Sequence, residues 1–193
     1  MESLCVFCGS ASGSRPAYTE VAEKLGRLIA LRKIRLVYGG GKVGMMGAVA
    51  DAALSAGGEV VGVIPGALVE RELAHHGITD LIIVDSMHER KAKMADLSDA
   101  FLAMPGGYGT LEELFEVITW AQLGFHAKPC GLLNVDRFFD PLLAMLDHAA
   151  EEQFLSRTNR ELLHTSNDPQ DIIAQLAAAH PTPGRHWIDR SET

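Results

Sequence analysis

Residues 100–113 read Ala100-Phe101-Leu102-Ala103-Met104-Pro105-Gly106-Gly107-Tyr108-Gly109-Thr110-Leu111-Glu112-Glu113, an apolar run, a glycine-rich turn and an acidic segment with helical periodicity. That order predicts a strand passing through a tight turn into a helix. Gly106, Gly107 and Gly109 let backbone N–H groups close round an oxyanion with no side chain in the way, and Thr110 offers a hydroxyl to cap the helix. The turn reads as a phosphate cradle. Two carboxylates directly behind it would repel a phosphate they faced, so at least one is expected to face another part of the ligand. A cradle joined to an acid points to chemistry.

The same strand-to-helix unit recurs along the chain. Strands are expected at 4–8, 35–38, 60–64, 81–84, 100–104 and 130–134, with a weaker one near 162–165. Nearly all are continuous apolar runs, the pattern of a parallel sheet covered by helices on both faces. The predicted fold class is α/β, a Rossmann-like three-layer sandwich with a parallel sheet of six or seven strands. Pro16 opens a helix whose Tyr18, Val21, Ala22, Leu25, Leu28 and Ile29 share one stripe. Gly57-Gly58 stops the second helix and Gly124 the one after the glycine turn, while Asp140-Pro141 and Asp168-Pro169 read as cap and first-turn pairs. Residues 66–79 are the least regular and are expected to form a flap between strands. One domain is expected over 1–180, followed by a loose tail at 181–193 that begins Pro181-Thr182-Pro183-Gly184.

A chain of 193 residues with 47% hydrophobic and 22% charged residues is the size and composition of one globular domain. Its net charge of −8 argues against general nucleic-acid binding, which rests on excess Lys and Arg. Met1-Glu2-Ser3 leads straight into an apolar strand without a basic flank, and no apolar run reaches membrane-spanning length. Cys5, Cys8 and Cys130 are odd in number and lie in apolar stretches, which favours reduced thiols and a cytoplasmic location. Cys5 and Cys8 form a CxxC, but strand alternation sends them to opposite faces and no second pair completes a zinc site.

Ligands of an open parallel sheet gather beyond the C-terminal ends of its strands. Gly9-Ser10 follows the first strand, Gly39-Gly40-Gly41-Lys42-Val43-Gly44 the second and the Gly106–Gly109 turn the fifth, so Ser10, Gly40 and Gly41 join the candidate ligand contacts. Gly39, Gly41 and Gly44 also satisfy GxGxxG. A dinucleotide site usually places that motif after the first strand, with an acid ending the next one, whereas here Glu59 begins the third strand and Pro65-Gly66 ends it. The Walker pattern fails because Val43 follows Lys42.

Two readings stand for the charged residues near the turn. Thr110 and Glu113 fit a T-x-x-E capping box. A wheel at 100° per residue instead sets Leu111, Leu114, Phe115 and Ile118 on the core, Glu112 and Glu116 on one flank, and Glu113 opposite with Val117 and Trp120. A tryptophan on that side implies a cover, by ligand or by a second subunit, and a carboxylate there is a catalytic candidate. Ser86-Met87-His88-Glu89 is a second capping box, after which Arg90, Lys91 and Lys93 are either a solvated helix face or the local cations a phosphate needs. His75-His76 diverge too much to share a metal, and Met45-Met46 reads as core packing.

Pro105-Gly106-Gly107-Tyr108-Gly109-Thr110-Leu111-Glu112-Glu113 matches PGGxGTxxE, and Met87-His88-Glu89-Arg90-Lys91 precedes it at a fitting spacing. Phe7-Cys8-Gly9-Ser10, Val37-Tyr38-Gly39-Gly40-Gly41, Gly44-Met45-Met46-Gly47, Val63-Ile64-Pro65 and the stretch Val117 to Gly124 extend the match. Through them the chain, over roughly residues 4 to 175, resembles the "lonely guy" family, the cytokinin-activating nucleoside 5′-monophosphate phosphoribohydrolases once labelled lysine decarboxylases. The resemblance implies hydrolysis of the N-glycosidic bond of N6-prenylated adenosine monophosphates, often of AMP as well. It implies Arg90 and Glu113 as catalytic residues and Lys91 and Glu72 as substrate contacts, with Gly106, Gly107, Tyr108, Gly109, Thr110, Leu111 and Glu112 around the phosphate and ribose. It also implies a homodimer. No cofactor and no metal are implied, and pyridoxal phosphate chemistry finds no counterpart. A non-catalytic nucleotide or cofactor carrier and, more remotely, a nicotinamide oxidoreductase are the rival readings.

Overall fold

The computed structural model describes residues 1–69 and 74–179. Seven parallel strands form one sheet: β1 (Ser3–Phe7), β2 (Arg35–Tyr38), β3 (Val60–Pro65), β4 (Asp80–Val84), β5 (Ala100–Ala103), β6 (Cys130–Leu133) and β7 (Leu163–Ser166). The order across the sheet is β4-β3-β2-β1-β5-β6-β7. The helices are α1 (Pro16–Leu31), α2 (Gly44–Ser55), α3 (Met87–Asp96), α4 (Tyr108–Leu123), α5 (Asp140–Glu151), the short α6 (Arg157–Arg160) and α7 (Pro169–Ala178). Every strand and the α/β sandwich expected from the apolar runs are present. The tail after Ala179 and residues 70–73 of the irregular segment lie outside the described residues. No described helix is long and apolar enough to cross a membrane.

Alternate side chains of each strand supply two cores, which explains why the strand sequences are apolar throughout. Leu4, Val6, Leu36, Tyr38 and Leu102 pack under α1, α2 and α7. Cys5, Phe7, Val37, Phe101 and Leu132 pack on the opposite face against Met94 of α3, Leu114 and Val117 of α4 and partly buried leucines of α5. Cys5 and Cys8 therefore belong to different layers, as the alternation predicts.

The helix ends follow the punctuation with one shift. Gly57 and Gly124 take positive φ, 78° and 83°, just beyond α2 and α4. Asp140 is the first residue of α5 rather than its cap, because its carboxylate is engaged by Asn134 and Arg137. Asp168 caps α7, accepting from the N–H groups of Gln170 (2.7 Å) and Asp171 (3.2 Å). The Lys24 ammonium, then those two N–H groups, holds its carboxyl below the usual range. A folded-state pKa lowered in this way contributes stability above the ordinary carboxylate pKa, and that contribution is lost as pH falls through the lowered value. Asp168→Ala is expected to cost about 1 kcal/mol at neutral pH. In thermal melts the deficit relative to the parent chain should narrow on acidification, and a deficit that widened would count against the cap.

Candidate active site

The strand order reverses at β1, with β2 on one side and β5 on the other, so the loops after β1 and β5 border the topological switch point. They touch: the Gly9 N–H donates to the Pro105 carbonyl at 3.1 Å. The third glycine loop arrives at the same place, where the N–H groups of Met45 and Met46 at the start of α2 donate to the Gly9 carbonyl at 3.1 and 3.3 Å. Gly9 thus occupies donors that α2 would otherwise offer a ligand.

Helix α4 differs. It starts at Tyr108 after Gly107, with no side-chain cap, so its first turn presents backbone donors and the positive end of the helix dipole. A Cβ at Gly107 or Gly109 would meet nothing within 4 Å, and Tyr108 is 94% exposed. Leu111 is partly buried and Glu112 exposed. The capping-box reading of Thr110 and Glu113 is corrected here. The helix begins before Thr110, whose side chain is buried beneath the turn, and a Cβ at Gly106 would lie 2.1 Å from Thr110 Oγ1.

The wheel for α4 is also corrected. Its buried residues are Thr110, Leu114, Val117 and Ala121, while Phe115 is 38% exposed. Val117 is in the chain's own core and Trp120 packs against it, so that face needs no second subunit to cover it. Glu113 is partly buried beside this stripe.

Arg90 does not lie on a solvated face. It is 4% exposed, and its Nη2 donates to the Gly39 carbonyl at 3.0 Å, at the end of β2. A buried arginine on a backbone carbonyl is a fixed charge. Ser86 caps α3 by accepting from the Glu89 N–H, and Glu89 Oε2 reaches back to the Asp85 N–H at 2.8 Å. Lys91 spans to α4, bonding Glu112 and, at 3.0 Å, Glu116. Burial alone would lower its pKa, but these two carboxylates raise it, so its charge is held and locally offset. Glu116, on the same flank as Glu112 in the sequence pattern, shares Lys91 with it, and the spacing of four between the two acids is the signal for this.

Burial raises the Cys5 thiol first and the Glu113 carboxylate second, while the Arg90 guanidinium opposes them. Glu113 and Arg90 thus act on the Cys5 side chain, midway along β1, in opposite directions. Cys8 is raised by burial and by Glu113, and burial pushes Cys130 up to about 12. All three cysteines are free and buried. Thiol reagents at neutral pH are expected to label none of them in the folded protein and all three in denaturant, and fast labelling of folded protein would contradict this burial.

Ser10 is exposed at the rim. Gly40 and Gly41 are buried, covered by residues 74–75: the His75 N–H donates to the Gly40 carbonyl at 2.9 Å, and Ala74 forms an antiparallel bridge with Gly41. Glu72 lies outside the described residues. Among the described residues no cluster of His, Cys, Asp and Glu could hold a metal ion.

Residues 46–176 match a family model described as "Possible lysine decarboxylase". The chain is 51% identical over 176 residues to the cytokinin riboside 5′-monophosphate phosphoribohydrolase of Rhodococcoides fascians, covering 91% of this chain and 89% of that protein. It is 50% identical over 178 residues to the phosphoribohydrolase LOG7 of Arabidopsis thaliana, covering 92% and 82%. With the rice enzyme LOG the identity is 49% over 189 residues, covering 97% and 78%. Among solved structures, the molybdenum cofactor binding protein of Rippkaea orientalis superposes with a TM-score of 0.70 at 24% identity, covering 91% of this chain and 95% of that one. The molybdenum cofactor carrier protein of Chlamydomonas reinhardtii gives 0.68 at 22%, covering 92% and 98%. At such identities these two share the fold. With half its residues shared with the phosphoribohydrolases over nine-tenths of its length, the chain belongs to the cytokinin riboside 5′-monophosphate phosphoribohydrolase family.

Proposed function

We propose that this protein hydrolyses the N-glycosidic bond of N6-prenylated adenosine 5′-monophosphates and of AMP, releasing the free base and ribose 5-phosphate. What supports the reading is an uncapped helix start beside the switch point of the sheet, with a buried arginine bonded to the carbonyl that follows β2 and a partly buried carboxylate in the second turn of α4. The 5′-phosphate suits the open α4 terminus at Gly107 and Gly109. As the bond from C1′ to the purine nitrogen breaks, its electron pair leaves with the base, which takes up a proton, while water supplies the hydroxyl at C1′. Positive charge grows on the ribose, and the Glu113 carboxylate is suited to stabilise it and to align the water. Arg90 either polarises the departing base or orients the substrate and Glu113.

Lys91 serves this scheme as a charge that holds α3 against α4, since Glu112 and Glu116 already engage it. Its raised pKa is the reverse of what a Schiff-base lysine needs. We assign the protein to the cytoplasm on its reduced-thiol pattern. We also infer a homodimer. Met87, one turn before Lys91, is 42% exposed and Phe115, one turn after Glu112, is 38% exposed, leaving apolar surface beside the bridged helices. Sedimentation at micromolar concentration should give twice the chain mass, and a monomer would end that inference. For the activity, incubation with AMP and with isopentenyladenosine monophosphate followed by chromatography should yield free base and ribose 5-phosphate. Bound but intact nucleotide would instead favour a carrier.

A further inference from the structure

His75 is 5% exposed, and hydrolysis leaves it without a role. Its Nδ1 accepts from the Gly77 N–H at 3.3 Å, which leaves the ring proton on Nε2, where it donates to Asp51 Oδ1 at 2.8 Å. Asp51 belongs to α2, so this bond ties the described part of the irregular segment to a helix. The same residue grips the glycine turn by its backbone, through the N–H donated to Gly40 and the adjoining bridge from Ala74 to Gly41.

The turn has little slack. Gly40 sits at φ +77°, and a Cβ there would already lie 3.3 Å from Ile64 and Leu81. Gly39 comes next, and its carbonyl is the acceptor for Arg90. A Cβ on Gly39 would lie 2.1 Å from Arg90 Nη2, so the guanidinium rests directly against this backbone. The Gly39 carbonyl is thus one anchor of a long side chain with several rotatable bonds, beside the Met87 sulfur that Nη1 approaches at 3.8 Å, and moving that anchor moves the guanidinium.

We propose that His75 and Asp51 form a positioning pair: by clamping the Gly39–Gly41 turn, they fix the carbonyl against which the Arg90 guanidinium is oriented. The consequence for rate rests on the hydrolase reading above; the consequence for Arg90 geometry does not. Neither residue is a catalytic residue, because the pair acts through the turn.

The Asp51 side chain is 62% exposed, so it can be altered without opening the core, and alanine is well tolerated in a helix. Asp51→Ala removes the acceptor, whereas Asp51→Asn keeps an oxygen for the Nε2–H. For Asp51→Ala, kcat for AMP is expected to fall about tenfold or more with KM changed less than about twofold, as for a small misplacement of a catalytic group. Asp51→Asn should restore most of the rate. Guanidinium 1H–15N resonances, assigned through Arg90→Lys, should be distinct in the parent chain and in Asp51→Asn, and averaged in Asp51→Ala. Unchanged Arg90 resonances in Asp51→Ala would overturn the proposal whatever the rates do, as would an Asp51→Asn chain as impaired as Asp51→Ala. If the parent chain hydrolyses no nucleotide, the hydrolase reading fails and the resonances alone decide the clamp.

Discussion

Glu113→Gln is expected to slow base release from AMP by about 10³-fold while leaving nucleotide affinity within a few-fold of the parent chain. The amide has the shape of the acid and lacks its charge, so the change isolates electrostatics from packing. A nucleoside monophosphate in its ground state carries no positive charge on the ribose; only bond cleavage creates one. An interaction with that charge is made in the transition state alone, and its loss lowers kcat without raising KM. Partial burial of Glu113 beside α4's core stripe places the carboxylate where water screens it less than on an open surface. Single-turnover base release with bound-nucleotide titration gives both quantities. A loss of less than tenfold would remove Glu113 from the reacting centre, and a loss confined to KM would make it a binding group.

The elements that could be read in advance were those whose local chemistry is sufficient. β1, β2, β3, β5 and β6 are short apolar runs because helices cover both faces of the sheet. The start of α4 is hidden in the sequence because glycine is a poor helix former, so Tyr108 and Gly109 have the pattern of a turn. Tertiary packing decided otherwise, burying Thr110 against Gly106. The phase of the helix is obscured for a related reason: the buried Thr110 and Ala121 are small, whereas the large apolar Phe115 is exposed. Arg90 shows the limit most clearly. An arginine in a basic run reads as solvated, whereas here a carbonyl 51 residues earlier, that of Gly39, helps to hold it in the interior. The site's residue types were legible, but the long-range bonds that orient them were not.

Two neighbouring glycines of the cradle separate folding from binding. Gly106→Ala is expected to destabilise the protein by about 2–3 kcal/mol, the range of overpacking in a tight site, which lowers Tm by roughly 5–10 °C. The new Cβ would lie 2.1 Å from the buried Thr110 hydroxyl and 2.9 Å from the Gly9 backbone nitrogen, so relief requires the β1 and β5 loops to part. Gly107→Ala should melt within a degree or two of the parent chain, since Gly107 has φ −97° and a Cβ there meets nothing. The space that makes this alanine harmless to the fold is the space the phosphate is proposed to fill. Its cost should therefore appear as a raised KM for AMP, about tenfold, and as little change in the inhibition by free adenine, which has no phosphate to displace. An unaltered KM in Gly107→Ala would move the phosphate away from the α4 terminus, even if Gly106→Ala unfolds as expected.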